Sequence, residues 1–313
     1  MMMKSTRWIL IGSLVLVLMM GGLGLAMGER VEEAGALVEV TDNDIKEIIE
    51  RLQDPKTRQE AIKEIERIGK PAGVHLSQIA KDRDKDQNSR VTSILLLGRT
   101  KAENARIDLE EILEEDKDKF CREAAAIALG ESQDKEAIPK LKEAMKDESG
   151  NVRMRAVWAL AKLQDKSGKR LALETLKGKD VTAQLLAVEA LEAIGDKSII
   201  DELKANVDDP DLSVWTKIHS KLAVKKLQVL GLNDIDRLNF LRETLKDEQS
   251  EVNYWAVKEL GEEIIDNTPN RKQAIDILNE VAKDPRIPGS TSASKLLLKF
   301  IELGEVTREE IGE

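Results

Sequence analysis

Histidine and cysteine, the residues that most often bind metals or act as nucleophiles near neutral pH, number three in this 313-residue chain: His75, His219 and Cys121. Catalytic or structural metal sites built on imidazole or thiolate need three or four such ligands converging, and the two histidines are far apart in sequence. Carboxylates are plentiful, with Asp and Glu together numbering 59. Acid/base work nevertheless needs two of them isolated in a cleft with displaced pKa values, and no spacing here sets such a pair apart. There is no glycine-rich phosphate loop, no serine nucleophile elbow and no CxxC pair. The residues therefore predict no cofactor, no metal and no enzymatic activity. A single cysteine excludes an intramolecular disulfide, which leaves Cys121 as a small buried hydrophobe or as a reactive or intermolecular thiol.

Recognition chemistry is better supplied. Trp158, Trp215, Tyr254 and Trp255 are large amphipathic rings of the kind that dominate protein interfaces. Lys140, Lys142 and Lys146, followed by Lys169, Arg170 and Lys177, form a local basic stretch. It reads either as a seat for an acidic partner or polymer, or as a solvated face balanced by neighbouring glutamates.

What positions these residues is a repeat. Seven stretches align at Thr57, Ser89, Cys121, Val152, Ala183, Val214 and Val252, with steps of 32, 32, 31, 31, 31 and 38 residues. Taking these as position 0, position +4 is Ala61, Ser93, Ala125, Ala156, Ala187, Ile218 and Ala256, and position +8 is Ile65, Leu97, Leu129, Leu160, Leu191, Leu222 and Leu260. A period of about 20 to 50 residues marks a solenoid. Each unit reads as two antiparallel helices: in the fourth, helix A runs from Val152 to Leu163, a turn follows, and helix B runs from Lys169 to Lys177. The acids Asp134, Asp165 and Asp196 are placed to cap B helices, and Asp116, Asp147, Asp209 and Asp247 each precede position 0 by five residues. Position +1 is Arg58, Arg90, Arg122 and Arg153, then Gln184, Trp215 and Asn253. The arginines read as a stabilising ladder along the stack or as a ligand-binding row. Trp158, Trp215, Tyr254 and Trp255 fall at +6, +1, +2 and +3, off the buried stripe, and so point outward unless the twist of the stack tucks them against a neighbouring repeat.

The expected fold is all-α, an α-solenoid of seven to eight two-helix repeats over 41–313, with a weak eighth unit near Gly289. Charged residues make up 35% and aromatics 3% of the chain, in keeping with an alanine-lined helical core. Formal charge is −10, and because 1–28 holds Lys4 and Arg7 and no acid, the remainder carries −12. Nucleic-acid affinity rests on neutralising phosphates, so no nucleic-acid partner is expected. The first 28 residues combine Lys4 and Arg7, an uncharged run from Trp8 and an Ala26-Met27-Gly28 small-x-small pattern. They read as a cleaved export signal or as an uncleaved membrane tether through residues 8–28, followed by a linker over 29–40. Either way the repeats are expected outside the cytoplasmic membrane.

Cys121-Arg122-Glu123-Ala124-Ala125-Ala126-Ile127-Ala128-Leu129-Gly130 and Val152-Arg153-Met154-Arg155-Ala156-Val157-Trp158-Ala159-Leu160 resemble bacterial and archaeal HEAT repeats, the type also found in phycobilisome lyases, over about residues 41–300. The resemblance implies the solenoid fold and a role as a scaffold or adaptor for a protein partner. HEAT-repeat enzymes that hydroxylate a lysine-derived residue hold iron through His-Glu pairs, whereas here Leu76 follows His75 and Ser220 follows His219. The expected function is thus a non-enzymatic protein-binding scaffold. A membrane-tethered structural or envelope-assembly protein is the alternative, and a bilin-lyase-like or other HEAT-repeat enzyme comes third.

Overall fold

The computed structural model of the chain describes residues 40–312 apart from 55, 103 and 267. The export signal or anchor expected over 1–28, and the linker over 29–40 except Val40, lie outside the described residues. Within them all regular structure is helical, and no helix is long and apolar enough to cross a membrane. After a first helix, α1 (Asp42–Glu50), come seven helix pairs: α2 (Arg58–Ile68) and α3 (Ala72–Lys81), α4 (Gln87–Thr100) and α5 (Ala105–Glu115), α6 (Lys119–Ser132) and α7 (Ile138–Ala144), α8 (Gly150–Lys162) and α9 (Lys169–Leu176), α10 (Val181–Ile194) and α11 (Ile200–Asp208), α12 (Val214–Val229) and α13 (Asp234–Thr244), α14 (Ser250–Ile265) and α15 (Arg271–Lys283). A final helix, α16 (Ser290–Glu302), buries Ala293 and Leu297 as the A helix of the eighth unit.

Four A helices, α4, α6, α10 and α12, begin where a polar side chain supplies an acceptor to the free N–H groups. Asp86 accepts from the Ser89 backbone, Asp118 from that of Phe120, Asp180 from those of Thr182 and Ala183, and Ser213 from that of Thr216. The acids at −5 act one step earlier: Asp116 and Asp147 accept from the backbone N–H two residues on, shaping the turn that leads to the cap. In α4, α6, α8, α10 and α14 position 0 is the third helical residue, and the stripe 0, +4, +8 turns inward. Cys121, Ala125 and Leu129 are fully buried, as are Val152, Ala156 and Leu160. Burial pushes the Cys121 thiol up to about 12, which keeps it protonated and unreactive near neutral pH.

The A helices α4, α6, α8 and α10 pack directly on one another, and each B helix packs on the A helix that follows it. Small residues permit the first contact. A Cβ on Gly98 would lie 2.6 Å from the carbonyl oxygen of Ala128, and one on Gly130 would lie 2.8 Å from the Cα of Ala159. Position +9 of the motif is glycine at these two sites because backbone meets backbone there.

The sixth repeat departs from the expected register. Val214 and Trp215 are 69% and 57% exposed, while Thr216, Ser220, Ala223 and Leu227 are buried. Position 0 is therefore Thr216, two residues later than the small-then-large pattern indicates, and Lys217 replaces Trp215 at +1. Ser213, the cap, stands three residues before Thr216, as Asp118 does before Cys121.

The chain divides into two compact units, one ending at Ile194 and one beginning at Gly195. The division falls inside the fifth repeat, at a glycine whose φ of +64° suits a residue without a side chain. The first unit has one continuous core running from Ile45 to Leu163. A core of the second runs from Leu238 to Ile311 and includes Trp255, Phe300 and Val306.

Candidate interaction surface

The +1 row turns back onto the preceding loop. Arg58 Nε donates to the Leu52 carbonyl at 2.7 Å, Arg90 Nε and Nη2 to Ala80 at 3.1 and 3.0 Å, Arg122 Nη1 to Asp116 at 2.8 Å and Arg153 Nη1 to Asp147 at 2.8 Å. Where arginine gives way to an amide the bond persists: Gln184 Nε2 reaches the Gly178 carbonyl at 2.8 Å and Asn253 Nδ2 that of Asp247 at 3.1 Å. Arg90 and Arg122 also reach forward, to the carboxylates of Asp116 and Asp147, so each joins the loop before its repeat to the loop after it. Arg122 grips Asp147 with Nε and Nη2 at 2.8 and 3.0 Å, and this hydrogen bonding holds its guanidinium pKa above the ordinary value. With both guanidinium groups buried, Arg90 and Arg122 offer nothing to a ligand from outside.

The basic stretch is largely neutralised. Lys140 Nζ lies 2.7 Å from Glu114 and 3.3 Å from Glu143, Lys142 lies 2.7 Å from Asp165, and Arg170 stands 3.7 Å from Glu174. Lys169 opens α9. Glu143 and Glu174 lie three and four residues on along the same helix, while Glu114 and Asp165 come from the neighbouring repeats, a match that chain order does not display.

The four aromatics separate into two pairs. Trp255 is buried, 8% exposed, and its Nε1 donates to Glu259 at 3.0 Å; it takes the tucked of the two expected placements, which removes it from the partner-binding candidates, because position +3 of α14 faces the core shared with α13 and α15. Trp158 is half-buried against the first unit's core with Lys162 over its ring at 5.7 Å. Trp215 and Tyr254, by contrast, are 57% and 60% exposed. In the corrected register Tyr254 and Ile218 share position +2, and Trp215 lies three residues before Ile218 on the same face of α12. His219 completes that face, its Nδ1 2.9 Å from the Trp215 carbonyl oxygen and its ring tilted against the indole at 6.5 Å.

Among the described residues no group of three or more His, Cys, Asp or Glu side chains is placed to hold a metal ion. His75 Nε2 sits 3.5 Å from Asp42, and the two histidines belong to different units.

The HEAT-repeat family profile matches residues 44–130, 73–160, 108–178 and 138–219, which together cover more than half of the chain. The chain is a HEAT-repeat protein. Among solved structures this HEAT-repeat chain is similar to the complex of CpcE and CpcF of phycocyanin lyase from Nostoc sp. PCC7120, at 20% identity over 72% of this chain and 94% of that one, with a TM-score of 0.46. It is also similar to human deoxyhypusine hydroxylase in complex with glycerol, at 18% identity over 83% of this chain and 96% of that one, with a TM-score of 0.36. Likenesses this distant carry no argument about activity. No curated protein matches the chain.

Proposed function

We propose that this HEAT-repeat protein is a non-enzymatic scaffold that binds another protein through the face carrying Trp215 and Tyr254, outside the cytoplasmic membrane. Repeat arrays act by presenting extended surfaces, and the observation that carries the reading is the exposure of two large rings, 57% and 60%, on helices whose opposite faces are buried. An exposed indole and phenol side chain held on regular helix lose little conformational freedom on binding, which is why such residues concentrate interface energy. The compartment rests on the N-terminal pattern of Lys4, Arg7 and the uncharged run that follows.

In-cell crosslinking of the full-length chain, followed by mass spectrometry of what it captures, tests the reading against the Trp215→Ala/Tyr254→Ala form. The expected outcome is a defined protein captured by the parent and lost from the double variant, at an unchanged melting temperature. Capture of the same proteins by both forms removes this face from consideration. Recovery of the chain from the cytoplasmic fraction refutes the compartment.

A further inference from the structure

The repeat plan is broken at one place that opens onto a cavity. Positions 0, +3 and +4 of α4 are Ser89, Thr92 and Ser93, where α6 carries Cys121, Ala124 and Ala125. Thr92 and Ser93 are 4% and 1% exposed, and neither hydroxyl has a hydrogen-bond partner among the described residues. Both border a cavity of about 510 Å³ formed by α1, α3 and the start of α4, within the range of small-molecule sites. Ile49, Leu52 and Ile79 give it an apolar side, while Lys46, Lys85, Arg58 and His75 give it a basic one. Of the two carboxylates on its wall, Asp86 is engaged as the cap of α4, accepting from the Ser89 backbone at 3.1 Å and hydroxyl at 2.6 Å; the other is Glu50. Lys46 and Lys85 have no ion-pair partner among the described residues. Hydroxyls at a cavity wall are free to donate to a guest, and in the neighbouring repeats alanine fills the Ser93 position.

We propose that this cavity binds a small organic anion, a carboxylate with a short apolar body. The charge lies toward Lys46 and Lys85, the carboxylate oxygens accept from the Thr92 and Ser93 hydroxyls, and the body covers Ile49, Leu52 and Ile79. The cavity belongs to the first unit and Trp215 and Tyr254 to the second, so the outcome here is independent of the scaffold reading.

Ligand-observed saturation-transfer NMR on the full chain tests this, with hexanoate as probe and hexylamine as the control of opposite charge. Hexanoate is expected to receive saturation and hexylamine none. Ser93→Ala, which installs the residue found at this position in other repeats and so keeps the fold, and Lys46→Gln/Lys85→Gln should each weaken hexanoate. For the lysine pair the loss is about tenfold, as for two exposed charge contacts. Equal signals from the two probes, a hexanoate signal unchanged in both variants, or no hexanoate signal, leaving water alone on the hydroxyls, would overturn the proposal.

Discussion

Replacing Arg122 by methionine keeps the stem that packs in the stack and removes the group that joins two loops. The guanidinium then no longer grips Asp147 at 2.8 and 3.0 Å or bonds the Asp116 carbonyl at 2.8 Å. Its contact with Glu148 counts for little, because that carboxylate is 86% exposed. Breaking a buried pair from one side costs about 3 to 5 kcal/mol. Asp147 is 12% exposed and keeps a 2.7 Å bond from the Ser149 backbone, which places Arg122→Met at the lower end, about 3 kcal/mol. Arg153→Met is the internal comparison. Arg153 bonds only the carbonyls of Asp147 and Glu148, at 2.8 and 3.2 Å, and its loss should cost about 1 kcal/mol. Adding Asp147→Asn to Arg122→Met removes the stranded charge while leaving the Ser149 N–H an acceptor, and should recover about half of the deficit. Urea unfolding followed by circular dichroism gives the totals, and hydrogen exchange over α6 to α8 gives the local loss. An Arg122→Met deficit no larger than that of Arg153→Met, or a double variant less stable than Arg122→Met alone, would refute the account of the ladder.

Burial raises the Glu123 carboxyl pKa against the pull of Arg155, and its Oε1 has no partner. The charged form therefore penalises the fold above the raised value, so Glu123→Gln should stabilise at neutral pH, and denaturation across a pH series should show the gain vanish below the ordinary value of 4.5. The Ser220 hydroxyl is buried without a partner at a position that is alanine in five other repeats, so Ser220→Ala should raise unfolding free energy by about 1 kcal/mol. Gly98→Ala should lower it by about 2 kcal/mol, since the new methyl meets the Ala128 backbone. Trp255→Ala, unlike Trp215→Ala, should cost about 3 kcal/mol in the same assay because only the first of these rings is buried.

Most of this architecture is legible in the sequence because alanine and leucine recur at positions that only a stack of helices can bury. The sixth repeat shows where that reading slips. Val214, Ile218 and Leu222 loosely imitate the inward stripe, yet the helix starts where Ser213 caps it and turns Thr216 and Ser220 inward instead. Counting three residues on from the capping side chain would have found the register. Ser93 escaped notice for the opposite reason. It satisfies the rule of a small residue at +4, and the rule does not distinguish a methyl from a hydroxyl. The sequence leaves Trp255 open between the two placements because outward and inward at +3 depend on where the neighbouring B helices lie, information that resides in the packing of α13 and α15 rather than in the periodicity of α14.

The side chain at +1 changes chemistry along the chain. In α4 and α6 it is a guanidinium that pairs with an acid of the next loop, Arg90 with Asp116 and Arg122 with Asp147. At Gln184 and Asn253 it is a neutral amide on a carbonyl. Heating makes water a poorer solvent for ions, so the cost of keeping charges dry falls as temperature rises, while a neutral hydrogen bond gains no such relief. The +1 contact at Gln184 and Asn253 therefore gains nothing on heating, and the ionic grip at those joins rests on other pairs, Arg155 with Glu189 at 2.8 Å and Lys221 with Asp247 at 2.7 Å.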